Sequence, residues 1–399
     1  MAGEAAYLLA LASIRGIGPI GALSIVKRFR TPEDLERAAV GDLDNAVGER
    51  LAALLRDKLN NEWRSALLKS QSRIDKHLEL GIRAIAFTDD CYPSLLRQIA
   101  DPPPILYVKG NLDAIRILNA VAIIGTRNST ALGERVAGKI ARYFAASGFV
   151  VISGLARGID SAAQTAACES GLTVAVLANS LDKVYPAENR QLAERIIDAK
   201  GALVSELALG EPTFKNAFVR RDRIQSGMSL AVIPIQTDVE GGTMHTVRFA
   251  EDQKRLLFCP IPMQEEGEKK QYAGIWQLIR SHRAKSFQSQ DYPELLAIAQ
   301  SHKLKLMLDY GLEEIAAPVP PANDTSLGPA MDRVERSTVD KSLALQKLAD
   351  TCRELGLDAN KEEFGEVITQ VRKRLFGSAK RAKKSAGGQV PDDQPKLIV

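Results

Sequence analysis

The chain has 399 residues, of which 45% are hydrophobic and 26% are charged, a composition typical of a folded, soluble protein with two or three domains. Its four cysteines are scattered without a Cys-x-x-Cys spacing, which argues against a zinc site and is typical of a reducing cytoplasm. No apolar run approaches the roughly 18 residues that a membrane helix needs, and no signal peptide is recognisable, so we expect a cytoplasmic protein without a membrane partner.

Residues 1–80 are predicted to form a small helical domain of the helix-hairpin-helix or SAM-like kind. The sequence Gly-Ile-Gly-Pro at residues 16–19 separates two stretches with helical periodicity, as in the turn of a helix-hairpin-helix. Such a turn exposes backbone N–H groups that can bind a DNA phosphate. A tight helical hairpin that only packs a small bundle would show the same pattern. Both interpretations stay open, and one clear hairpin is visible.

Residues 81–300 are predicted to form an α/β core. Short β-branched runs, such as residues 121–124 and 149–152, are typical of strands that are buried on both faces of a parallel sheet. Helical stretches separate these runs, and the alternation continues to the last predicted strand at residues 256–259. Strands that alternate with helices in this way predict a Rossmann-like, doubly wound and mostly parallel sheet.

Two glycine-rich turns follow neighbouring predicted strands, and each contains an arginine. Arg127 follows Gly125 in the first turn, and Arg157 follows Gly154 in the second. In a right-handed βαβ unit both turns lie at the carboxyl ends of adjacent strands, where backbone N–H groups can bind an anion. The arginines would add bidentate phosphate ligands. We therefore predict a site for a phosphate of a nucleotide or nucleic acid, although the spacing matches neither a dinucleotide fingerprint nor a P-loop.

A further basic element lies at residues 218–224, where Arg220, Arg221 and Arg223 fall within four positions. These side chains could form a basic wall beside the two glycine turns. On a helix, Arg220 and Arg223 share a face and Arg221 points elsewhere. A solvated helix whose arginines pair with Asp222 and Glu206 accounts for the same residues, and for this segment alone we favour that interpretation.

Beyond residue 300 the α/β pattern weakens. We predict a linker at residues 301–329, a small helical unit at residues 330–376 and a basic disordered tail at residues 377–399. The net charge of +4 is unevenly spread, because residues 371–390 contain seven basic side chains and no acidic one. Such a tail can contact nucleic acid or simply keep the chain soluble.

Taken in order, the core motifs resemble the DNA-processing protein A family, also called DprA or Smf, over roughly residues 80–300. The N-terminal helical hairpin is similar to the small N-terminal domain of that family. The motifs that carry the resemblance are Gly125-Thr126-Arg127 with Gly133, the string at 153–160, Leu181-Asp182 with Tyr185-Pro186 and Asn189, Ser205-Glu206, the segment 218–227, and Gly242-Thr243 with Thr246.

The resemblance implies a Rossmann-like domain that binds single-stranded DNA in a basic pocket at the strand ends, without catalysis, cofactor or metal. It also implies a homodimer that, in many bacteria, hands the strand to a RecA-type recombinase. Lys183 is a weaker candidate for the pocket. The pocket residues that the resemblance implies are Gly125, Thr126, Arg127, Ser153, Gly154, Arg157, Gly158, Arg220, Arg221, Arg223, Gly242 and Thr243.

The chain departs from the family pattern at several positions. Gln164 replaces a histidine, Asp222 replaces an asparagine, and Gln236 and Gly241 replace a glutamate and a serine. Asp222 places a negative charge near the expected phosphate path and would oppose binding unless an arginine neutralises it. The last 100 residues do not resemble the winged helix of some members, so a divergent role, for example in defence, is an alternative to recombinase loading.

Two further function classes fit the sequence. An enzyme or sensor for a nucleotide-derived molecule is one, since the turn at residues 240–243 has a faint similarity to nucleoside-monophosphate phosphoribohydrolases. Hydrolysis needs a carboxylate, for which Asp160, Glu206 and Glu240 are candidates, whereas His245 is interpreted as structural. The second of these function classes is a structural adaptor that uses the helical unit and the basic tail.

Overall fold

The structure, a computed structural model, describes residues 3–212, 216–263 and 266–313. These residues belong to one compact unit, Met1–Pro321. The predicted helical unit and basic tail lie outside the described residues, as does most of the predicted linker. Within the described ranges, no helix is long and apolar enough to cross a membrane.

The N-terminal region is helical, as predicted. Its helices are α1 Glu4–Ala12, α2 Pro19–Arg28, α3 Pro32–Glu36, α4 Val40–Val47, α5 Glu49–Asn61 and α6 Trp63–Glu79. The predicted hairpin turn joins α1 to α2, and Gly16 adopts a φ of +100°, which favours glycine. Gly48 joins α4 to α5 with a φ of +80° and forms another helical hairpin. The sequence did not reveal that hairpin because residues 40–61 lack a Gly-x-Gly signal.

Among the described residues, nine strands form one sheet in the order β1-β2-β6-β5-β4-β3-β7-β8-β9. All neighbouring pairs are parallel except β1 with β2 and β2 with β6, so the predicted mostly parallel, Rossmann-like sheet is confirmed. The strands are β1 Ile82–Ala86, β2 Ile105–Gly110, β3 Ala120–Ile124, β4 Val150–Ser153, β5 Thr173–Val176, β6 Ala202–Ser205, β7 Ala231–Pro234, β8 Leu256–Pro260 and β9 Lys285–Phe287.

Both faces of the sheet are buried. In β3, Ala122 and Ile124 belong to one apolar cluster, while Val121 and Ile123 belong to another. Side chains of a strand alternate between faces, which explains why β3 reads as a continuous apolar run. The helices of the core are α7 Leu112–Arg116, α8 Ala131–Ala146, α9 Ile159–Cys168, α10 Arg190–Asp198, α11 Ala217–Gly227, α12 Thr243–Asp252, α13 Ala273–Arg280 and α14 Tyr292–Tyr310.

Helix α6 attaches the helical region to the sheet. His77 on α6 is buried, and its ring stacks on Tyr107 of β2 with centroids 4.5 Å apart. The His77 Nε2 accepts a hydrogen bond from the Leu209 N–H at 2.9 Å, and burial lowers the pKa of the imidazole. The neutral ring is therefore a structural contact between the two regions.

The core extends further along the chain than the sequence predicted. Helix α14 continues to Tyr310, into the segment expected to be a linker from residue 301. Leu295, Ala299 and Leu306 on this helix are buried in the apolar cluster that contains Phe258 of β8. The lysines and polar residues between these positions weaken the apolar pattern, which is why the sequence suggested an earlier end.

Candidate nucleic-acid interface

The chain order reverses at the centre of the sheet. From β3 the chain builds outward through β4, β5 and β6, and it then crosses to β7 on the other side of β3. In open α/β sheets, ligands bind outside the carboxyl ends of the strands at such a switch point. A pocket of about 530 Å³ lies there, and we call it the switch-point pocket. Its lining residues come from 124–128, Ala156, Asp160, α11, Thr237, Asp238, 241–243, His245 and Thr246.

The first glycine turn is held close to α9 and β7. A Cβ on Gly125 would lie 2.5 Å from the Ile159 side chain, so this position requires glycine. The Thr126 N–H donates to the Gln236 carbonyl at 2.9 Å, which fixes the turn above the strand ends. The Gln236 amide accepts from the Thr130 N–H at 3.0 Å. Gln236, which replaces the family glutamate, therefore stabilises the start of α8.

The second glycine turn is built mainly by buried contacts. Ser153 is fully buried and donates to the Ile123 carbonyl at 2.6 Å, so its hydroxyl does not face the switch-point pocket. Leu155 has a φ of +55°, an uncommon conformation for a residue other than glycine. Its N–H donates to Gln164 at 3.0 Å, and its carbonyl accepts from Asn189 at 2.8 Å. Gln164, in place of the family histidine, thus stabilises this turn, which ends at Gly158 with a φ of +79°.

Arg127 and Arg157 meet at one cleft beside the switch-point pocket. Arg127 is exposed, and its guanidinium lies 4.7 Å from the centroid of the Phe218 ring. The Phe218 and Tyr185 rings are 5.8 Å apart, and 52% of Tyr185 is exposed. The Arg157 side chain is 64% exposed and lies 3.7 Å from Glu188. We call Arg127, Arg157, Tyr185 and Phe218 the rim, since all four line this cleft.

Helix α11 separates its arginines. Arg221 lines the switch-point pocket, whereas Arg220 and Arg223 do not. Arg223 is buried and holds Glu206 through two hydrogen bonds of 2.9 and 3.0 Å, and its Nε lies 2.9 Å from Asp101. Arg220 lies 3.1 Å from the same Glu206. Arg220 and Arg223 therefore fit the interpretation as ion-pair partners of Glu206 better than the interpretation as a basic wall beside the glycine turns.

The remaining predicted residues fall in two places. Gly242 and Thr243 line the switch-point pocket at the start of α12, and His245, interpreted from sequence as structural, lines it too. Lys183 is exposed in an adjoining groove of about 620 Å³, which also contains Tyr185 and Phe218. The rim therefore lies between the switch-point pocket and the Lys183 groove.

The inner end of the switch-point pocket carries two carboxylates. Asp160 is buried and accepts a hydrogen bond from the Gly154 N–H at 3.1 Å. Asp222 has 15% of its side chain exposed, and Arg221 lies beside it with a distance of 3.2 Å from Nε to Oδ1. This contact is an ion pair rather than an aligned hydrogen bond, because the Arg221 Nε has no hydrogen-bond partner. We call Asp160, Arg221 and Asp222 the floor.

Burial determines the electrostatics of the floor. Burial raises the pKa of Asp160, and it raises the pKa of Asp222 to about 6. The Arg221 side chain is 7% exposed, and its Nη1 donates a hydrogen bond to the Val176 carbonyl at 2.8 Å. Its positive charge is therefore held at the floor. The expected neutralising arginine is thus present, but the pocket is not uniformly basic. The described part of the chain holds no group of three or more His, Cys, Asp or Glu side chains that could bind a metal.

Comparisons with known proteins show the family of the chain. The family described as DNA recombination-mediator protein A matches residues 83–296, more than half of the chain. Protein Smf of Synechocystis sp. is 33% identical over 262 residues, which are 64% of this chain and 64% of that protein, slightly under two thirds of its length. DNA processing protein DprA of Bacillus subtilis is 34% identical over 231 residues, 55% of this chain and 76% of that protein.

Among solved structures, DNA processing protein A from Streptococcus pneumoniae is similar with a TM-score of 0.58 and 27% sequence identity. The similarity covers 73% of this chain and 97% of that chain. The chain belongs to the DNA recombination-mediator protein A family, the family of DprA and Smf.

Proposed function

We propose that this chain binds single-stranded DNA at the rim and the switch-point pocket, and that it does so without catalysis. The observation that carries the proposal is the meeting of Arg127, Arg157, Phe218 and Tyr185 at one cleft. Proteins that bind single strands combine cationic groups for the phosphates with aromatic rings on which bases stack. The rim offers both, and its rings are partly exposed.

We propose that a strand runs from the switch-point pocket past the rim to the Lys183 groove, since Phe218 lines all three cavities. The switch-point pocket includes the start of α12 at Gly242 and Thr243, where backbone N–H groups can bind a phosphate. The groove contains the exposed Lys183, together with the acidic Asp182 and Glu211. A strand needs several phosphate ligands spaced along a groove, whereas a mononucleotide needs one cluster. This spacing favours a strand.

Family membership supports the wider role. Relatives of this chain are named DNA processing proteins, and we propose the same class of role here. The proposal includes a homodimer in the cytoplasm that delivers the strand to a RecA-type recombinase. For the dimer and the recombinase, the support is the family resemblance alone.

The test is binding of a labelled thymidine oligonucleotide, single-stranded and as a duplex with its complement, at several salt concentrations. We expect salt-sensitive binding that prefers the single strand. Replacing Arg127 and Arg157 together by alanine removes two phosphate ligands and should make the negative slope of log K against log salt shallower by about 1.4. Arg142→Ala is the matched control, because Arg142 is also exposed and ion-paired but lies on α8. Binding that the double variant leaves intact would exclude the rim as the site.

A second candidate is an enzyme that acts on a nucleoside monophosphate. The observation that favours it is the pair of pocket carboxylates, one buried and one largely buried, since raised carboxylate pKa values are common at catalytic sites. Of the carboxylates expected from sequence, only Asp160 lines the switch-point pocket, because Glu206 is held by Arg223 and Glu240 is exposed outside it. Release of free base that Asp160→Asn abolishes would favour the enzyme over a pure binding protein.

A further inference from the structure

The switch-point pocket has two chemically different ends. Its outer end is cationic, because Arg127 is exposed at the rim. Its floor contains two carboxylates, Asp160 and Asp222, and one buried arginine, whose charge acts on both and whose Nη1 already donates to a backbone carbonyl. Asp238 adds another carboxylate to the lining, although Lys270 lies 2.9 Å from it. A phosphate is therefore attracted to the outer end and repelled at the floor.

An ionised carboxylate accepts hydrogen bonds and donates none. The group that enters this end of the pocket must therefore carry N–H or O–H donors and no negative charge. The walls suit a flat ring, since they include the side chains of Ile124, Phe218 and Val219. The volume of about 530 Å³ falls within the usual size of a pocket for a small ligand. A nucleobase has these properties, and the sugar-phosphate attached to it would stay at the cationic rim.

Asp222 has free capacity to bind such a base. One of its oxygens lies beside Arg221, and the nearby Thr246 side chain lowers the pKa of the carboxylate, as a hydroxyl donor does. A carboxylate has about four acceptor positions, so roughly two stay available. The exposed 15% of this side chain belongs to the pocket lining.

The bases differ in what they offer to a carboxylate. Guanine presents two adjacent donors, the N1–H and the N2 amino group, which match the two oxygens of a carboxylate. Adenine and cytosine each place a ring acceptor beside their amino group, and thymine places its single N–H between two carbonyls. We propose that Asp222 makes the switch-point pocket selective for guanine. This inference rests on the proposed function, in which the guanine belongs to a single strand; a free guanine nucleotide would offer the same edge.

The experiment uses the full chain and compares three oligonucleotides that are identical except at one central position in a thymidine strand. That position is guanine, inosine or thymine, and inosine is guanine without the N2 amino group. We expect the guanine strand to bind at least about tenfold more tightly than the inosine strand, as befits one hydrogen bond to a charged group. The comparison uses the native chain, so it does not depend on a variant that folds.

A variant then assigns the effect to one residue. In Asp222→Asn the side chain has one acceptor oxygen instead of two, so the ratio of guanine to inosine affinity should fall to within about twofold of unity. Asp252→Asn is the control, because Asp252 is an exposed carboxylate on α12 outside the pocket, and it should keep the native ratio. Melting of each variant by circular dichroism checks that it is folded.

The outcomes separate this inference from the proposed function. Salt-sensitive binding of all three strands with equal affinity, or a native ratio in Asp222→Asn, overturns the guanine inference and leaves strand binding standing. Absence of binding to every strand overturns the proposed function. Guanosine monophosphate that binds more tightly than inosine monophosphate, and at least as tightly as the guanine strand, supports guanine selection and identifies the free nucleotide as the source.

Discussion

Asp222 illustrates how a single residue of a candidate site can oppose stability. Its carboxylate lies at the floor with Asp160, and Arg221 offsets only part of the charge. Because burial raises its pKa from 3.8 to about 6, the folded chain binds a proton at this residue more tightly than the unfolded chain does. Stability is therefore lost as the pH rises from about 4 to 6, and the full penalty is present above pH 6.

We expect Asp222→Asn to raise the free energy of unfolding at pH 8, by at most about 3 kcal/mol, because it removes the buried charge. The gain should shrink as the pH is lowered towards 4, where the native aspartate is also neutral. Urea unfolding at both pH values measures this difference, and Asp252→Asn should show no such dependence. An equal gain at pH 8 and pH 4 would mean that charge is not the cause.

At the scale of elements, α11 places the three arginines of one short segment in two different surroundings. Its turn of about 100° per residue points Arg221 to the pocket and Arg223 to Glu206 and Asp101. The sequence predicted that Arg220 and Arg223 share a face, but it could not say which face meets the ligand. That depends on Asp101, which lies 122 positions away in the chain.

We expect Arg223→Ala to destabilise the fold by about 3–5 kcal/mol, because it leaves Glu206 buried without its bidentate partner. Affinity of the folded variant for a single strand should stay near that of the native chain. Arg220→Ala is the comparison, since 45% of that side chain is exposed, and it should cost about 1 kcal/mol or less. Urea unfolding and oligonucleotide binding below the melting range measure the two effects. A large loss of affinity without a loss of stability would return Arg223 to the DNA path.

The same scale shows what sequence can predict. Glycine turns and buried parallel strands follow from local patterns, and the structure confirms the sheet that they indicate. The rim could not be derived locally, since its members come from separate loops and from α11. The floor was partly visible, because Asp222 stood out as a charge near the phosphate path, but its partnership with Asp160 depends on the fold.

At the scale of the whole molecule, the helical region and the sheet share a buried boundary. The stacked rings of His77 and Tyr107 and the bond from Leu209 lie at this boundary. The chain has two tryptophans, one on each side of it: Trp63 is buried in the helical region, and Trp276 lies on α13 of the core. Fluorescence can therefore follow each region separately.

We expect the two regions of the native chain to unfold together in urea, because they share one apolar cluster. In His77→Ala, which loses the stacked ring, the Trp63 transition should precede the Trp276 transition. Trp276→Phe and Trp63→Phe backgrounds isolate each signal. Coincident transitions in His77→Ala would show that other contacts of α6 suffice to couple the regions.

The close approach of Arg221 to Gly154 limits the substitutions that this site can accept as it evolves. A Cβ at position 154 would overlap the Arg221 guanidinium, so any side chain there displaces the cation that offsets the charges of Asp160 and Asp222. Replacement of the arginine first would instead leave two carboxylates facing each other. The two positions are therefore coupled, because the effect of a substitution at either one depends on the residue present at the other.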